Sequence, residues 1–258
     1  MFAGAGIHVQ ELGFAYPSGV RALDRLCFEV AAGESVGLVG PNGAGKTTLF
    51  LCMSGVLTPT SGKLCIDGLN PADASDRKAL PAKVGIVFQE SDDQLFSSTV
   101  FDDVAFGPLN LALDADEVRR RVSDSLARVN LSGFEERVPY HLSGGEKRRV
   151  ALAGVLAMHP QVLLLDEPSI HLDPRGRREF IKVVNSLDVT KIVAAHDLEL
   201  ILATCRRVLV LDEGRIIADG AARTVLGDSA LMEGHGLEVP HSLMYHHPSA
   251  RHHDTETG

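Results

Sequence analysis

The chain has 258 residues, 45% hydrophobic and 23% charged, enough for a sizeable core in one large domain or two small ones. Its net charge of −9 argues against a surface that wraps nucleic acid non-specifically, so no nucleic-acid partner is expected. Nowhere do about 18 apolar residues run together, which excludes a transmembrane helix, and the start "MFAGAGIHVQ" lacks a secretion signal, so a cytosolic chain is expected.

The first 30 residues suggest antiparallel strands, with Tyr16-Pro17-Ser18-Gly19 as the turn. Buried strands are expected at 36–40, 84–89, 162–166, 191–196 and 207–214, where short β-branched apolar runs recur. Nearly continuous runs of this kind belong to a parallel sheet covered on both faces, so the expected fold class is α/β. Residues 116–131 place Val118, Val122, Leu126 and Val129 on one helical face, and an inserted helical subdomain is expected over about 92–157. Cys27, Cys52, Cys65 and Cys205 form no CxxC pair and read as small buried hydrophobes, not as a disulfide framework or zinc site. From about Gly234 the composition shifts, and six of the eleven histidines fall beyond that point. The expected division is a main domain over 1–232 and a His-rich C-terminal tail over 233–258.

The stretch "GPNGAGKT" contributes Gly40, Pro41, Asn42, Gly43, Ala44, Gly45, Lys46 and Thr47 in the order G-x-x-x-x-G-K-[ST], after a strand and before a helix. Glycines let the backbone wrap a polyphosphate, and the helix N-terminus adds partial positive charge. Lys46 is expected to reach the β- and γ-phosphates, Thr47 to ligate Mg²⁺ and Thr48 to support the α-phosphate. Downstream, "VLLLDEP" ends a buried run in two acids. Asp166 is placed to bind Mg²⁺, and Glu167 to polarise the attacking water. These two motifs together imply a P-loop nucleotide hydrolase or kinase.

"LSGGE" adds Ser143, Gly144, Gly145 and Glu146. Ser143 and Glu146 have capping-box spacing, yet two glycines in a first helical turn weaken the helix. They make sense if a second anion, an ATP held by another subunit, approaches closely. With these residues, Gln89, "SIHLD" and His196 in order, the chain resembles the ATP-binding-cassette ATPases over roughly residues 7–225. The resemblance implies a P-loop core with a mainly parallel sheet, an antiparallel β subdomain and an inserted helical subdomain. It also implies a head-to-tail dimer, expected to be a homodimer, that sandwiches two ATPs with Mg²⁺. Each site would combine one protomer's Lys46, Asp166, Glu167, Gln89 and His196 with Ser143 and Gly145 of the other. Tyr16 would stack on adenine, His196 would sense the γ-phosphate, and Gln89 would touch water or Mg²⁺. Ser169 and Asp173 would cross the dimer interface, in a loop where His171 replaces the usual small residue.

The segment after Gln89, "QESDDQLFSSTVFDDVAFGPLNL", resembles that of energy-coupling-factor transporters, especially their cobalt/nickel branch. The resemblance implies an integral-membrane coupling protein and a substrate-binding membrane subunit as partners. Asp92, Asp93 and Gln94 would orient basic cytoplasmic helices, while Leu95 and Phe96 supply burial. The expected function is ATP hydrolysis that drives cobalt or nickel import from the cytoplasmic face of the membrane. The alternatives are a vitamin cargo such as biotin, or a soluble ATPase without a membrane partner. The tail reads as a solvated extension, with a metal-binding histidine tract as the alternative.

Overall fold

The computed structural model describes residues 6–244. β1 (Gly6–Ala15) and β2 (Arg21–Ala31) form a hairpin, followed by β3 (Ser35–Val39), α1 (Lys46–Met53), β4 (Ser61–Ile66), α2 (Ala74–Ala79) and β5 (Val84–Val87). Three longer helices come next: α3 (Val100–Asn110), α4 (Ala115–Arg128) and α5 (Gly144–Leu156). The chain then alternates through β6 (Val162–Asp166), α6 (Pro174–Asn185), β7 (Thr190–Ala194), α7 (Leu198–Thr204), β8 (Arg207–Asp212) and β9 (Arg215–Ala221). Three short helices complete the described residues: α8 (Ala222–Leu226), α9 (Ser229–Gly234) and α10 (His241–Met244).

Two sheets organise these elements. A three-stranded antiparallel sheet has the order β2-β1-β4, and a six-stranded sheet has the order β5-β6-β7-β3-β8-β9. Within the larger sheet every pairing is parallel except β8 with β9. Its apolar runs are continuous because both faces are covered. Leu163, Leu165, Val193, Val208 and Val210 pack into one core with the helices, whereas Val162, Leu164, Ile192, Leu209 and Leu211 pack into a second core with the small sheet and α1.

Strand ends differ from the sequence expectation, for a local reason. β5 stops at Val87, so Phe88 and Gln89 lie beyond it, and β7 stops at Ala194, two residues before His196. Both departures leave polar side chains past the strand ends. β8 also ends early, at Asp212, because Glu213 (φ 45°) and Gly214 (φ 74°) make a two-residue turn into β9, which the sequence reading took as strand.

α4 matches its expected face: Asp114 caps it by accepting from the Asp116 and Glu117 amides, and Val118, Val122 and Leu126 are buried. Cys52 and Cys205 are buried, and burial pushes their thiols up to about 12 and about 11. Cys27 is exposed and Cys65 half-buried, against the expectation that all four are core residues.

The division expected at residue 233 does not coincide with a packing boundary. Leu237, Val239 and Leu243 pack against the core, His235 Nδ1 lies 2.7 Å from Asp212 Oδ2, and Ser242 donates to Glu199 through its amide and hydroxyl. Apolar burial therefore carries the main body to at least Leu243. The remainder of the expected tail, with His246, His247, His252 and His253, lies outside the described residues. Among the described residues, no helix is long and apolar enough to cross a membrane.

Candidate active site

Parallel strands end on one edge of the large sheet, where the connecting loops open a cleft of about 340 Å³. β3 delivers the loop Gly40–Gly45 and the start of α1; β6 delivers Asp166 and Glu167; β7 delivers His196; β5 delivers Gln89. Asn42–Thr48, Gln89, Asp166, Glu167, His196 and Tyr16 all line this space. Asn42–Thr48, Gln89, Asp166, Glu167 and His196 thus meet because β5, β6, β7 and β3 are neighbours in the large sheet, and Tyr16 joins them from the β1–β2 turn of the small sheet.

Close approach makes two glycines necessary here. A Cβ at Gly40 would lie 2.0 Å from the Leu211 carbonyl, and one at Gly45 (φ 110°) would lie 2.5 Å from the Ala22 carbonyl. Lys46 is buried, and its Nζ donates to the carbonyls of Gly40 (2.6 Å) and Pro41 (3.1 Å). Burial pulls its ammonium below the usual lysine range, against the opposing pull of Glu167 and Asp166. The Thr47 hydroxyl donates to Asp166 Oδ2 at 2.9 Å, so a hydroxyl and a carboxylate converge as hard oxygen donors suited to Mg²⁺. Together with the glycine-shaped cradle, this donor set fits Mg-ATP. Tyr16 packs edge-on against Phe14 at 4.9 Å, and its hydroxyl is 2.9 Å from Thr48 Oγ1.

Glu167 occupies the left-handed backbone region at φ 48°, which costs energy for a non-glycine residue. Its amide donates to the Ala194 carbonyl at 2.8 Å, and its Oε2 accepts from the His196 amide at 3.1 Å. Oε1 is buried and accepts no hydrogen bond; His196 Nε2 lies 3.5 Å away. Burial raises the carboxyls of both Asp166 and Glu167 above the usual range. A buried acid with an idle oxygen, on a residue that lines a polar cleft, has the chemistry of a proton acceptor.

The other expected site residues lie elsewhere. Ser143 caps α5 in a complete capping box: its Oγ accepts from the Glu146 amide, and Glu146 Oε2 accepts from the Ser143 amide at 2.8 Å. None of Ser143, Gly144, Gly145 and Glu146 lines the cleft. Nor does this chain need glycine there: a Cβ at Gly145 would meet nothing nearer than 3.7 Å, and one at Gly144 nothing nearer than the His171 carbonyl at 3.4 Å. Asp173 caps α6 through the Gly176 amide at 2.7 Å, and Ser169 sits half-buried in the preceding loop.

In the segment after Gln89, the acids divide. Asp92 and Asp93 are exposed, though Asp92 Oδ1 also pairs with Lys147 Nζ at 2.6 Å. Asp103 is buried and accepts from the Phe96 and Ser97 amides, while Asp102 accepts from the Thr99 hydroxyl at the start of α3. Leu95 packs on the core, and Gln94 spends its amide on Ile86 and Phe88 of the chain's own backbone. Phe96 is 65% exposed and meets the half-exposed Phe106 edge-on at 5.1 Å.

Sequence reasoning overlooked three residues that hold this edge together. Arg177 grips Asp197 with two bonds of 2.5 and 2.8 Å, fixing the residue after His196, and Asp197 also caps α7. Arg148, on α5, donates to the carbonyls of Phe88 (2.5 Å) and Gln89. The adjacency of Asp197 to His196 was a usable signal; Arg148 stood inside "KRR" with nothing to single it out.

Comparison with known proteins agrees with this geometry. The ABC transporter family model matches residues 23–170. The energy-coupling factor transporter ATP-binding protein EcfA of Methanothermobacter thermautotrophicus is 46% identical over 91% of this chain and 76% of its own length. The structure of cbiO1 from Clostridium perfringens, part of the ABC transporter complex cbiONQ, superposes with a TM-score of 0.79 at 38% identity, covering 88% of this chain and 93% of that one. The dimeric cassette MJ0796, in a post-hydrolysis state with ADP and phosphate, gives a TM-score of 0.75 at 26% identity over 84% and 98% of the two chains. Cleft, cradle and family match together establish that this chain belongs to the ABC transporter family, as a Mg-ATP-hydrolysing ATP-binding subunit related to the energy-coupling-factor ATPase EcfA and to cbiO1.

Proposed function

We propose that this subunit powers import of cobalt or nickel ions through an energy-coupling-factor transporter. It would work as a head-to-tail homodimer on the cytoplasmic face of the membrane, with an integral-membrane coupling protein and a substrate-binding membrane subunit. The observation that carries the pairing is the separation of Ser143–Glu146 from a cleft that otherwise holds the phosphate-binding groups. A signature with spare room at both glycines suits a phosphate brought by another protomer.

In this reading Lys46 binds the β- and γ-phosphates, Thr48 and the loop amides of Asn42–Gly45 hold the chain of phosphates, and Tyr16 faces the base. Thr47 and Asp166 hold Mg²⁺, with Gln89 beside them. When bound, the ion spreads positive charge over phosphate oxygens in the transition state. Glu167 takes the proton of the attacking water on its idle Oε1, and His196 contacts the γ-phosphate. Ser143, Gly144 and Gly145 of one protomer close over the other's ATP, while Ser169 and Asp173 lie between them.

Similarity to cbiO1, part of the ABC transporter complex cbiONQ, and to the energy-coupling-factor protein EcfA supports the membrane partners, and the likeness of residues 89–111 to the cobalt/nickel branch supports the cargo. Uptake of labelled cobalt, nickel and biotin by cells carrying all the membrane subunits, with and without this chain, tests the cargo. Loss of metal uptake alone is expected; loss of biotin uptake alone would reassign the substrate.

The outward Phe96–Phe106 pair, in the same segment as the exposed Asp93, supports coupling through this surface. Asp93→Lys combined with Phe96→Ser is expected to leave the free chain's ATPase rate within about twofold, since exposed charges contribute little to folding. Metal uptake and co-purification of membrane subunits should fall by at least about tenfold, because like charges at a contact and a lost aromatic anchor each cost much of an interface. Wild-type assembly and uptake would make Asp93 and Phe96 a merely solvated face.

A further inference from the structure

A second polar cavity, of about 420 Å³, opens where the end of α4 meets α5 and α6, lined by Asn130, Arg149, Arg175, Glu179 and Lys182. It shares no residue with the nucleotide cleft, and its volume falls in the range of about 300–1,000 Å³ that holds small ligands. Three cations against one acid leave two positive charges unmatched, on a chain whose net charge is −9.

That one acid is divided. Glu179 Oε1 accepts from Arg175 Nε at 3.1 Å, while its Oε2 lies 3.3 Å from Arg149 Nη1. The Arg149 side chain is only 13% exposed, yet its hydrogen bonds, to the Gly145 and Val129 carbonyls, are long at 3.4 and 3.5 Å. Ordinary N–H···O bonds span about 2.7–3.2 Å, so a largely buried guanidinium with five donors has no well-formed acceptor. Among the described residues, the Lys182 ammonium pairs with no carboxylate and the Asn130 side-chain amide makes no hydrogen bond. Arg175 and Glu179 alone would make an ordinary i,i+4 surface pair. Adding Arg149 and Lys182 around the same acid brings repulsion that the chain itself does not offset.

We propose that this cavity is a second anion site, for a phosphate-type dianion held by Arg149, Arg175 and Lys182, with Asn130 as a neutral donor. The charge matches: a phosphate monoester carries about −1.5 to −2 near pH 7 and offers three strong acceptor oxygens. Cations from two helices converge on one space, which suits a compact tetrahedral anion better than a planar carboxylate with two oxygens. The free ion and a phosphate carried on a larger molecule would use the same contacts. The site depends neither on the cargo nor on pairing between protomers.

The test titrates inorganic phosphate, and separately phenyl phosphate, into the full-length chain, its nucleotide cleft filled with one equivalent of Mg²⁺ and a non-hydrolysable ATP analogue. Calorimetry gives the affinity, and amide chemical shifts give the location. One saturable site per chain is expected, with shifts at 128–131, 145–149 and 175–182. Arg175→Gln combined with Lys182→Gln should weaken binding by at least about tenfold, roughly what one lost hydrogen bond to a charged group costs. Both side chains are exposed, so this variant should keep its ATPase rate in phosphate-free buffer within about twofold. Glu179→Gln, which removes the competing acid, should instead tighten binding several-fold, a response that a merely structural ion pair does not predict. Tighter binding of phenyl phosphate assigns the site to a phosphate on a larger molecule, and tighter binding of inorganic phosphate to the free ion. The proposal is overturned by an absence of saturable binding at millimolar phosphate, or by acetate binding equally well at the same ionic strength. An affinity unchanged in both variants overturns it too.

Discussion

Glu167→Gln is expected to cut ATP turnover by about two to four orders of magnitude while leaving nucleotide affinity intact, because a positioned general base contributes roughly that much. The carboxyl is well placed for the loss to be selective. Its Oε2 is fixed by the His196 amide, its Oε1 is idle, and Lys46 and Thr47 bind from other elements. Glutamine keeps the shape and the acceptor for His196 but cannot take a proton. Because closure would then outlast hydrolysis, the variant should accumulate as an ATP-bound dimer in size-exclusion runs. Near-normal turnover in the purified variant would remove Glu167 from this role.

The same substitution has a signature in stability. Burial raises the Glu167 carboxyl, so the folded state holds its proton to higher pH than the unfolded chain does. Folding therefore carries no penalty from this group below the ordinary value of 4.5; the penalty grows as pH rises through the window up to the raised folded value and is complete above it. Nucleotide-free Glu167→Gln should accordingly melt above wild type at neutral pH, with the gap closing as pH falls towards 4.5. A gap that is constant with pH would trace the change to packing.

Ser143→Arg should abolish hydrolysis while sparing the monomer's affinity for ATP, since Ser143 lies away from its own cleft. Arginine also removes the α5 cap, a loss of about 0.5–2 kcal/mol that a domain of this size survives. The decisive measurement mixes this variant with Lys46→Ala. Each such heterodimer contains one site built from an intact cradle and an intact signature, so nucleotide trapping should recover half of the sites in that species. If no mixture ever traps nucleotide, the head-to-tail arrangement is wrong for this chain.

Much of the site was legible because its chemistry is local. The cradle spans eight consecutive residues whose glycines, lysine and threonine have fixed relative roles, and Asp166 and Glu167 end a strand that any hydropathy pattern reveals. The capping box at Ser143–Glu146 is likewise a three-residue relation, and α5 carries it as expected. Where the sequence misled, a contact from far along the chain decided the outcome. Asp102 and Asp103 share the acidic segment with the exposed Asp92 and Asp93, yet each is consumed by capping the turn before α3. Gln94 looked available, and the backbone of Ile86 and Phe88 takes both ends of its amide.

The sequence by itself determined the elements, the phosphate cradle and the order of motifs, because helix periodicity, strand hydrophobicity and loop chemistry act over a few residues. Only the tertiary structure decided which strand ends share an edge, that Glu167 Oε1 is left idle, that residues 237–243 stay packed on the body, and that Arg148 ties Gln89 to the signature helix. Those outcomes depend on sheet order and on burial by residues more than 20 positions away, and no local propensity encodes either.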